Sequence, residues 1–385
     1  MTASPGAGPE RPSERGAGFS PPPYPYERLG PLRVLAAAHE GGPVDLSIGA
    51  PNDPPLPAVV EALGSSGTER GYPPSLGTLA LREAAVHWMA RRLSVEVPLV
   101  AVAACVGTKE FVATTPQWLR LRRPERDTVL YPAVSYPTYE MGAVLAGCRA
   151  VAVPVDRSWR LDLAAVDADD AARALCLWVN TPANPTGALD DLGTVAAWAR
   201  ARDIPVFSDE CYVEFTWDGP RHTILEHGLD GVVAVHSLSK RSNLAGLRVG
   251  FYAGDPELVH YLGEVRKHVG MMVPGPVQAA AVVALGDDAH VDEQRARYLE
   301  RLTYFADVLT GAGLTCAVPG GSFYLWARAA DGDAWNTAAD LARRGGLVTS
   351  PGEFYGPGPS AAIFLRVALV APMDRLRLVA DRLST

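Results

Sequence analysis

The chain has 385 residues, 48% of them hydrophobic and 20% charged, with a formal net charge of −8. That balance fits an ordinary globular protein of two or three domains and gives no support to a nucleic-acid or membrane-surface partner. No apolar run reaches the roughly 18 residues of a spanning helix, and no apolar core follows a basic start, so neither a membrane nor a secretory route is expected and the expected location is cytoplasmic.

Residues 1–23 are rich in Pro, Gly and Ser and end in Pro21-Pro22-Pro23. Such a stretch cannot bury enough apolar surface to offset its ordering entropy, and a disordered tail is expected. Tyr24 to Ala38 follows as an arm and a first helix, and Asp45 to Pro55 as a short strand with a Gly/Pro loop. Gly71-Tyr72-Pro73-Pro74-Ser75-Leu76-Gly77 leads into a helix over Thr78–Leu93, where Val86, Met89, Ala90 and Leu93 fall at helical spacing. Val106 to Glu110 then closes an apolar run and opens another helix. Free N–H groups and the positive end of the helix dipole make Gly107-Thr108-Lys109 a natural phosphate site. Neither G-x-x-x-x-G-K-[ST] nor G-x-G-x-x-G occurs, so a nucleotide has no motif behind it.

Asp127–Leu130 reads as a strand running into Tyr131-Pro-Ala-Val-Ser-Tyr-Pro-Thr-Tyr139. Leu175 starts a buried strand that ends in turn residues up to Gly187, and Ile204–Phe207 is another. The helix between them carries Leu192, Val195, Ala196 and Ala199 on one face. Strand–helix–strand repeats imply a largely parallel sheet, and ligands of such sheets bind beyond the carboxyl ends of the strands. Asn184, Asp209, Tyr212 and Lys240 all stand at such positions. From Glu293 the character changes. Val291, Arg295, Tyr298, Leu302, Phe305 and Leu309 mark a long helix with one packed face, Leu314–Ala317, Phe323–Ala327 and Ile363–Leu369 read as strands, and Leu376, Val379, Ala380 and Leu383 mark a final helix. The five cysteines are far apart, without zinc-ligand spacing, so reduced thiols and no metal are expected.

The chain has three lysines: Lys109, Lys240 and Lys267. Lys240 stands just past the strand Val232–Val235, with Ser237 and Ser239 before it and Arg248 after it. Burial and nearby cations lower an amine from about 10.4 toward neutrality and make it a nucleophile for a carbonyl. Arginine and hydroxyls are suitable phosphate donors. Ser237-Leu238-Ser239-Lys240, followed by Ala245-Gly246-Leu247-Arg248-Val249-Gly250, resembles the cofactor-lysine motif of class I/II aminotransferases, pyridoxal-phosphate enzymes of the aspartate aminotransferase fold.

The resemblance covers about residues 25–383. It implies an α/β protein of fold type I among pyridoxal-phosphate transferases: a large domain with a mostly parallel seven-stranded sheet flanked by helices, and a smaller α+β domain. The expected divisions are a tail over 1–23, an arm and part of the small domain over 24–65, the large cofactor-binding domain over 66–276 and the small C-terminal domain over 277–385. The resemblance also implies roles. Lys240 binds the cofactor and acts as general acid–base, Asp209 stays ionised at its ring nitrogen, and Asn184 with Tyr212 serves its ring oxygen. Gly107, Thr108, Lys109, Ser237 and Arg248 serve its phosphate, Tyr136 stacks on its ring, and Tyr72 reaches the phosphate of the neighbouring subunit, so that a homodimer is expected. Gly49 lies over the substrate, and Arg366 binds its α-carboxylate by a two-pronged ion pair.

Arg266-Lys267-His268-Val269-Gly270-Met271-Met272-Val273-Pro274, Gly286-Asp287-Asp288-Ala289-His290 and Ser350-Pro351-Gly352-Glu353-Phe354-Tyr355-Gly356-Pro357 resemble the actinobacterial succinyldiaminopimelate transaminases of lysine and diaminopimelate biosynthesis. That resemblance implies amino-acid and 2-oxo-acid substrates, namely N-succinyl-LL-2,6-diaminopimelate and 2-oxoglutarate. A second cationic locus is then needed for the far carboxylate, with Arg266-Lys267-His268 the candidate. The alternatives are a transaminase of aspartate, alanine or an aromatic amino acid, and a carbon–sulfur lyase or decarboxylase of the same fold. A transcription regulator would need a DNA-binding module that 23 residues do not supply.

Overall fold

A computed structural model describes residues 19–384, apart from the side chains of residues 359 and 360; residues 1–18 of the expected tail lie outside it. In chain order the strands are β1 (Val44–Asp45), β2 (Val102–Cys105), β3 (Thr128–Pro132), β4 (Arg149–Val153), β5 (Ala174–Asn180), β6 (Val206–Asp209), β7 (Val232–Ser237), β8 (Gly250–Gly254), β9 (Tyr324–Arg328), β10 (Leu347–Val348), β11 (Ser350–Pro351) and β12 (Phe364–Ala368). β2 to β8 form a seven-stranded sheet in the order β2-β8-β7-β6-β5-β3-β4, parallel except for β8, which opposes both neighbours.

Helices cover both faces of this sheet, so its central strands are apolar along their whole length. Along β5 successive side chains feed opposite layers. Leu177 and Val179 join Leu81, Trp88 and Ile224 on one side, while Trp178 joins Phe111, Tyr139 and Phe207 on the other. A second layer holds the antiparallel sheet β11-β12-β9 and the two-residue parallel pair β1–β10. Its core takes Leu302, Phe305 and Leu309 from the long helix Ala289–Gly311, Leu376 and Val379 from the last helix, and Leu29, Leu32 and Leu46 from the start of the chain.

Two expected elements differ. The helix Leu79–Leu93 buries Leu81, Ala85, Trp88, Met89 and Leu93, leaving Ala90 exposed. The buried face is turned toward Trp88, whose indole donates to Glu214 at 2.9 Å, an interaction that apolar spacing does not register. Leu314–Ala317 makes one isolated bridge, Thr315 to Arg328, instead of a strand. Among the described residues no helix is long and apolar enough to cross a membrane.

Glu214, only 2% exposed, joins the layers electrostatically. Arg92 Nη2 lies 2.9 Å from it, Arg221 Nε 3.1 Å and Arg241 Nε 3.5 Å. Burial pushes its carboxyl up, but the Arg241, Arg92 and Arg221 guanidiniums more than offset that and hold it below its ordinary 4.5. Removing one member of such a cluster strands the others: Glu214→Gln is expected to cost about 3–5 kcal/mol in urea unfolding near neutral pH. A carboxylate with a lowered folded pKa stabilises above its unfolded value and loses that contribution as the pH falls. The wild-type advantage should therefore narrow below about pH 4.5. A gap unchanged between pH 7 and pH 3.5 would refute the electrostatic assignment.

Candidate active site

The carboxyl ends of β5, β6 and β7 open into a cavity of about 380 Å³, the position at which parallel sheets bind ligands. Lys240 enters it from the four-residue helix Leu238–Arg241, which follows β7 directly and is capped by Ser237 Oγ accepting from the Ser239 N–H at 3.1 Å. The amine donates to the Gly49 carbonyl. Burial pulls it from 10.5 down to about 8; Cys211 and Asp209 act upward, while Arg366 and Arg248 reinforce the fall.

Asp209 ends β6, paired in register with Asn180 of β5. Burial pushes its carboxyl up, opposed by contacts from Cys211 and by the Tyr139 hydroxyl, which donates to Oδ2 at 2.9 Å. Glu210, one residue on, does not line the cavity, and its Oε1 accepts from the Ile224 N–H. Asn180 organises the turn that follows β5: its Nδ2 donates to the Asp209 carbonyl at 2.8 Å and its Oδ1 accepts from the Asn184 N–H at 2.7 Å. Asn184 Oδ1 then accepts from Arg366 Nη1 at 2.9 Å.

Arg366, on β12, is 1% exposed. Its Nη2 donates to the Ser47 carbonyl at 2.5 Å. Its guanidinium carbon lies 4.4 Å from the Tyr324 ring centre, 4.7 Å from that of Tyr355 and 5.9 Å from that of Tyr26. Tyr324 and Tyr212 share a hydrogen bond of 2.8 Å between hydroxyls. A Cβ at Gly49 would sit 2.0 Å from the Tyr324 hydroxyl, so only glycine fits there.

At the other end, Thr108 begins the helix Thr108–Arg122, with Gly107 before it at φ +82°. A Cβ on Gly107 would lie 2.4 Å from Arg248 Nη2. Thr108, Ser237 and Arg248 line the cavity together, and Gly107 backs Arg248 without lining it. Tyr136 and Lys109 line it too, with the Lys109 ammonium donating to the Tyr24 hydroxyl at 3.0 Å and lying 5.7 Å from the Tyr136 ring centre.

One structure therefore gathers Gly49, Thr108, Lys109, Tyr136, Asn184, Asp209, Tyr212, Ser237, Lys240, Arg248 and Arg366 around one space. Tyr72 stands apart, 99% exposed and outside the cavity. The Arg266-Lys267-His268 segment is also elsewhere, and its reading as the far substrate contact is corrected. Arg266 is 1% exposed and forks onto Glu110 at 2.8 and 2.6 Å, and Lys267 pairs with Glu264. Tyr26, Tyr139, Asn180 and Tyr324 join the site without having been expected there. Asn180 carries a signal, being the polar end of an otherwise apolar strand; the tyrosines read as core.

Residues 42–383 match the model of the family aminotransferase class I and II, and the chain belongs to that family, which is pyridoxal-phosphate-dependent. Among individual proteins it is 43% identical to the probable aminotransferase Rv1178 of Mycobacterium tuberculosis, over 97% of this chain and 88% of that one. It is 41% identical to OxyQ of Streptomyces rimosus, a 4-dedimethylamino-4-oxo-anhydrotetracycline transaminase, over 94% and 99%. The structure of a probable N-succinyldiaminopimelate aminotransferase from Thermus thermophilus superposes with a TM-score of 0.83 at 31% identity, covering 93% and 98%. The fold is the aspartate-aminotransferase-like one.

The residues present fit the cofactor. Asp209, pushed up by burial, is a carboxylate short of a counter-charge, and a protonated ring nitrogen supplies one. Gly107, Thr108, Ser237 and Arg248 form an anion cradle at a helix N-terminus. Borohydride reduction and peptide mapping should place the cofactor on Lys240; a label on Lys109 or Lys267 would overturn the assignment. At pH 7 roughly a tenth of an amine of pKa 8 is neutral, against about three in ten thousand at 10.5. Capture by cofactor-free enzyme should accelerate about tenfold from pH 6 to pH 7 and level off near pH 8. A rise continuing to pH 10 would show that the amine is not desolvated.

Proposed function

We propose that this aminotransferase exchanges the amino group of N-succinyl-LL-2,6-diaminopimelate with 2-oxoglutarate, with glutamate as the amino donor in the reverse sense. The carrying observation is that the cavity has a cation for each end of a dicarboxylate: buried Arg366 among tyrosines, and Lys109 beside Tyr24 and Tyr136. In this reading Lys109 takes the role expected of Arg266-Lys267-His268. The succinyldiaminopimelate-like segments and the likeness to the Thermus structure support the substrate.

Pyridoxal phosphate, when bound, supplies a ring that draws electrons from the carbon next to the amino group. Lys240 holds it, and Lys240 Nζ, balanced near pH 8, takes the proton from that carbon and returns it. Asp209 keeps the ring nitrogen protonated, with Tyr139 fixing its orientation. Thr108, Ser237 and Arg248 bind the phosphate, Tyr136 covers the ring, and Asn184 with Tyr212 serves its oxygen. Arg366 orients the α-carboxylate, and Gly49 leaves room above it. The cofactor domain spans 66–276, and the small domain takes 24–65 and 277–385, a division supported by the separate cores.

A second reading rests on the likeness to OxyQ, with a ring ketone as acceptor. The two separate in one comparison. Succinyldiaminopimelate should be turned over faster than alanine, aspartate, aromatic amino acids or a polycyclic ketone acceptor. Lys109→Met should raise KM for glutamate by on the order of tenfold while sparing alanine. Faster turnover of an aromatic or short aliphatic amino acid, or equal KM changes for glutamate and alanine, would remove the dicarboxylate reading and leave the class.

We also propose a homodimer in which Tyr72 reaches the other subunit's phosphate, a role that suits its full exposure. Sedimentation should give a dimer. Tyr72→Phe should keep the dimer and loosen the cofactor several-fold. A fully active monomer would contradict this.

A further inference from the structure

The loop from Ser47 to Pro55 makes backbone contacts with both charged groups of the cavity. The Ser47 carbonyl accepts from Arg366, and the Gly49 carbonyl from Lys240. Neither contact uses a side chain of the loop, so the loop's position must be fixed from elsewhere.

It is fixed four residues on. Asp53 receives a two-pronged ion pair from Arg301, with Nη1 to Oδ2 at 2.6 Å and Nη2 to Oδ1 at 2.7 Å. The side chains are 10% and 5% exposed. Gln294, seven residues before Arg301 on the same long helix, donates to Asp53 Oδ2 at 2.8 Å. Gln294 Oε1 in turn accepts from Asn243 Nδ2 at 3.3 Å, and the same Nδ2 reaches the Pro54 carbonyl at 3.4 Å. Asn243 lies three residues after Lys240, in a left-handed conformation at φ 57°. The loop is thus tied at one point to the helix of the second layer and to the turn that carries the lysine.

We propose that Asp53 and Arg301 are a positioning pair: they hold the Gly49 and Ser47 carbonyls against Lys240 and Arg366, and so set how the α-carboxylate end of every substrate is received. The proposal rests on the aminotransferase reading of the cavity. Arg301 sits on a buried helix face beside Tyr298, and its planar fork gives Asp53 one orientation, which a single-point contact would not. Asp53 and Arg301 touch no reacting atom, and neither lines the cavity. Because the pair acts on the shared α-carboxylate end, its loss should affect glutamate and alanine alike, unlike loss of a far-end contact.

The test uses the cofactor-loaded enzyme with Asp53→Asn, Arg301→Met and the double variant. The double variant leaves no stranded buried charge, so it recovers stability if the pair only supports the fold. Expected are a KM raised about tenfold for both glutamate and alanine in all three, kcat within about threefold of wild type, and hydrogen exchange accelerated over residues 47–55. The fraction of Lys240 fixed by borohydride should stay at the wild-type level. Failure of labelling on Lys240 in the wild type would refute the reading of the cavity instead. A double variant with restored stability and wild-type KM, or KM changes without faster exchange at 47–55, would overturn the proposal. Should the single variants be too unstable to purify, Arg301→Lys, which keeps the charge and loses the fork, decides on the same readouts.

Discussion

Lys240 stands in a space from which water has been removed, and that desolvation shapes what surrounds it. An ammonium in such a place needs a carbonyl or a carboxylate, and Gly49 and Asp209 are the groups supplied. Arg366 and Arg248 work against the charge, holding the amine near neutrality. Lys109, Lys240, Arg248 and Arg366 line the cavity against the single carboxylate of Asp209, in a chain whose net charge is −8. The positive field is thus concentrated where an acidic ligand must enter, and the acidic remainder sets it off.

Such a pocket is costly to fold, and its polar groups are kept in place by one another. Asn180 uses both ends of its amide on backbone, Asn184 passes the order to Arg366, and Tyr139 restrains Asp209. The rings around Arg366 give its buried guanidinium aromatic faces in place of water. Replacing any of these by an apolar side chain would leave a neighbour unpaired, which is why the unanticipated residues are supports rather than contacts with ligand.

The lysine turn was legible in the sequence because its chemistry is local: strand, capped turn, lysine and arginine lie within about a dozen residues. The helix Leu192–Arg200 was legible for the same reason, since its buried face is Leu192, Val195, Ala196 and Ala199 as the spacing implied. What was not legible is settled by partners far away in the chain. Arg266 reads as a charged helix end until Glu110, 156 residues earlier, is brought against it. Trp88 turns its helix because Glu214 lies across the layer boundary, and Arg301 reads as solvated until Asp53 appears. Leu314–Ala317 has strand-like composition, yet only one bridge forms to hold it.

The pairing of β1 with β10 joins Val44 to Leu347 and Asp45 to Val348. The Leu46 carbonyl then accepts from the Ala368 N–H at 2.8 Å. Both ends of the chain are therefore parts of one small layer, separated by the whole of the large sheet. During synthesis β2 to β8 emerge in succession and can pair with close neighbours, while the segment around Leu46 must wait for the final strands. Closing that long loop is the late event, and the Arg366 contact with Ser47 forms with it. A chain ending before Phe364 holds every strand of the large sheet and lacks the arginine that receives a carboxylate.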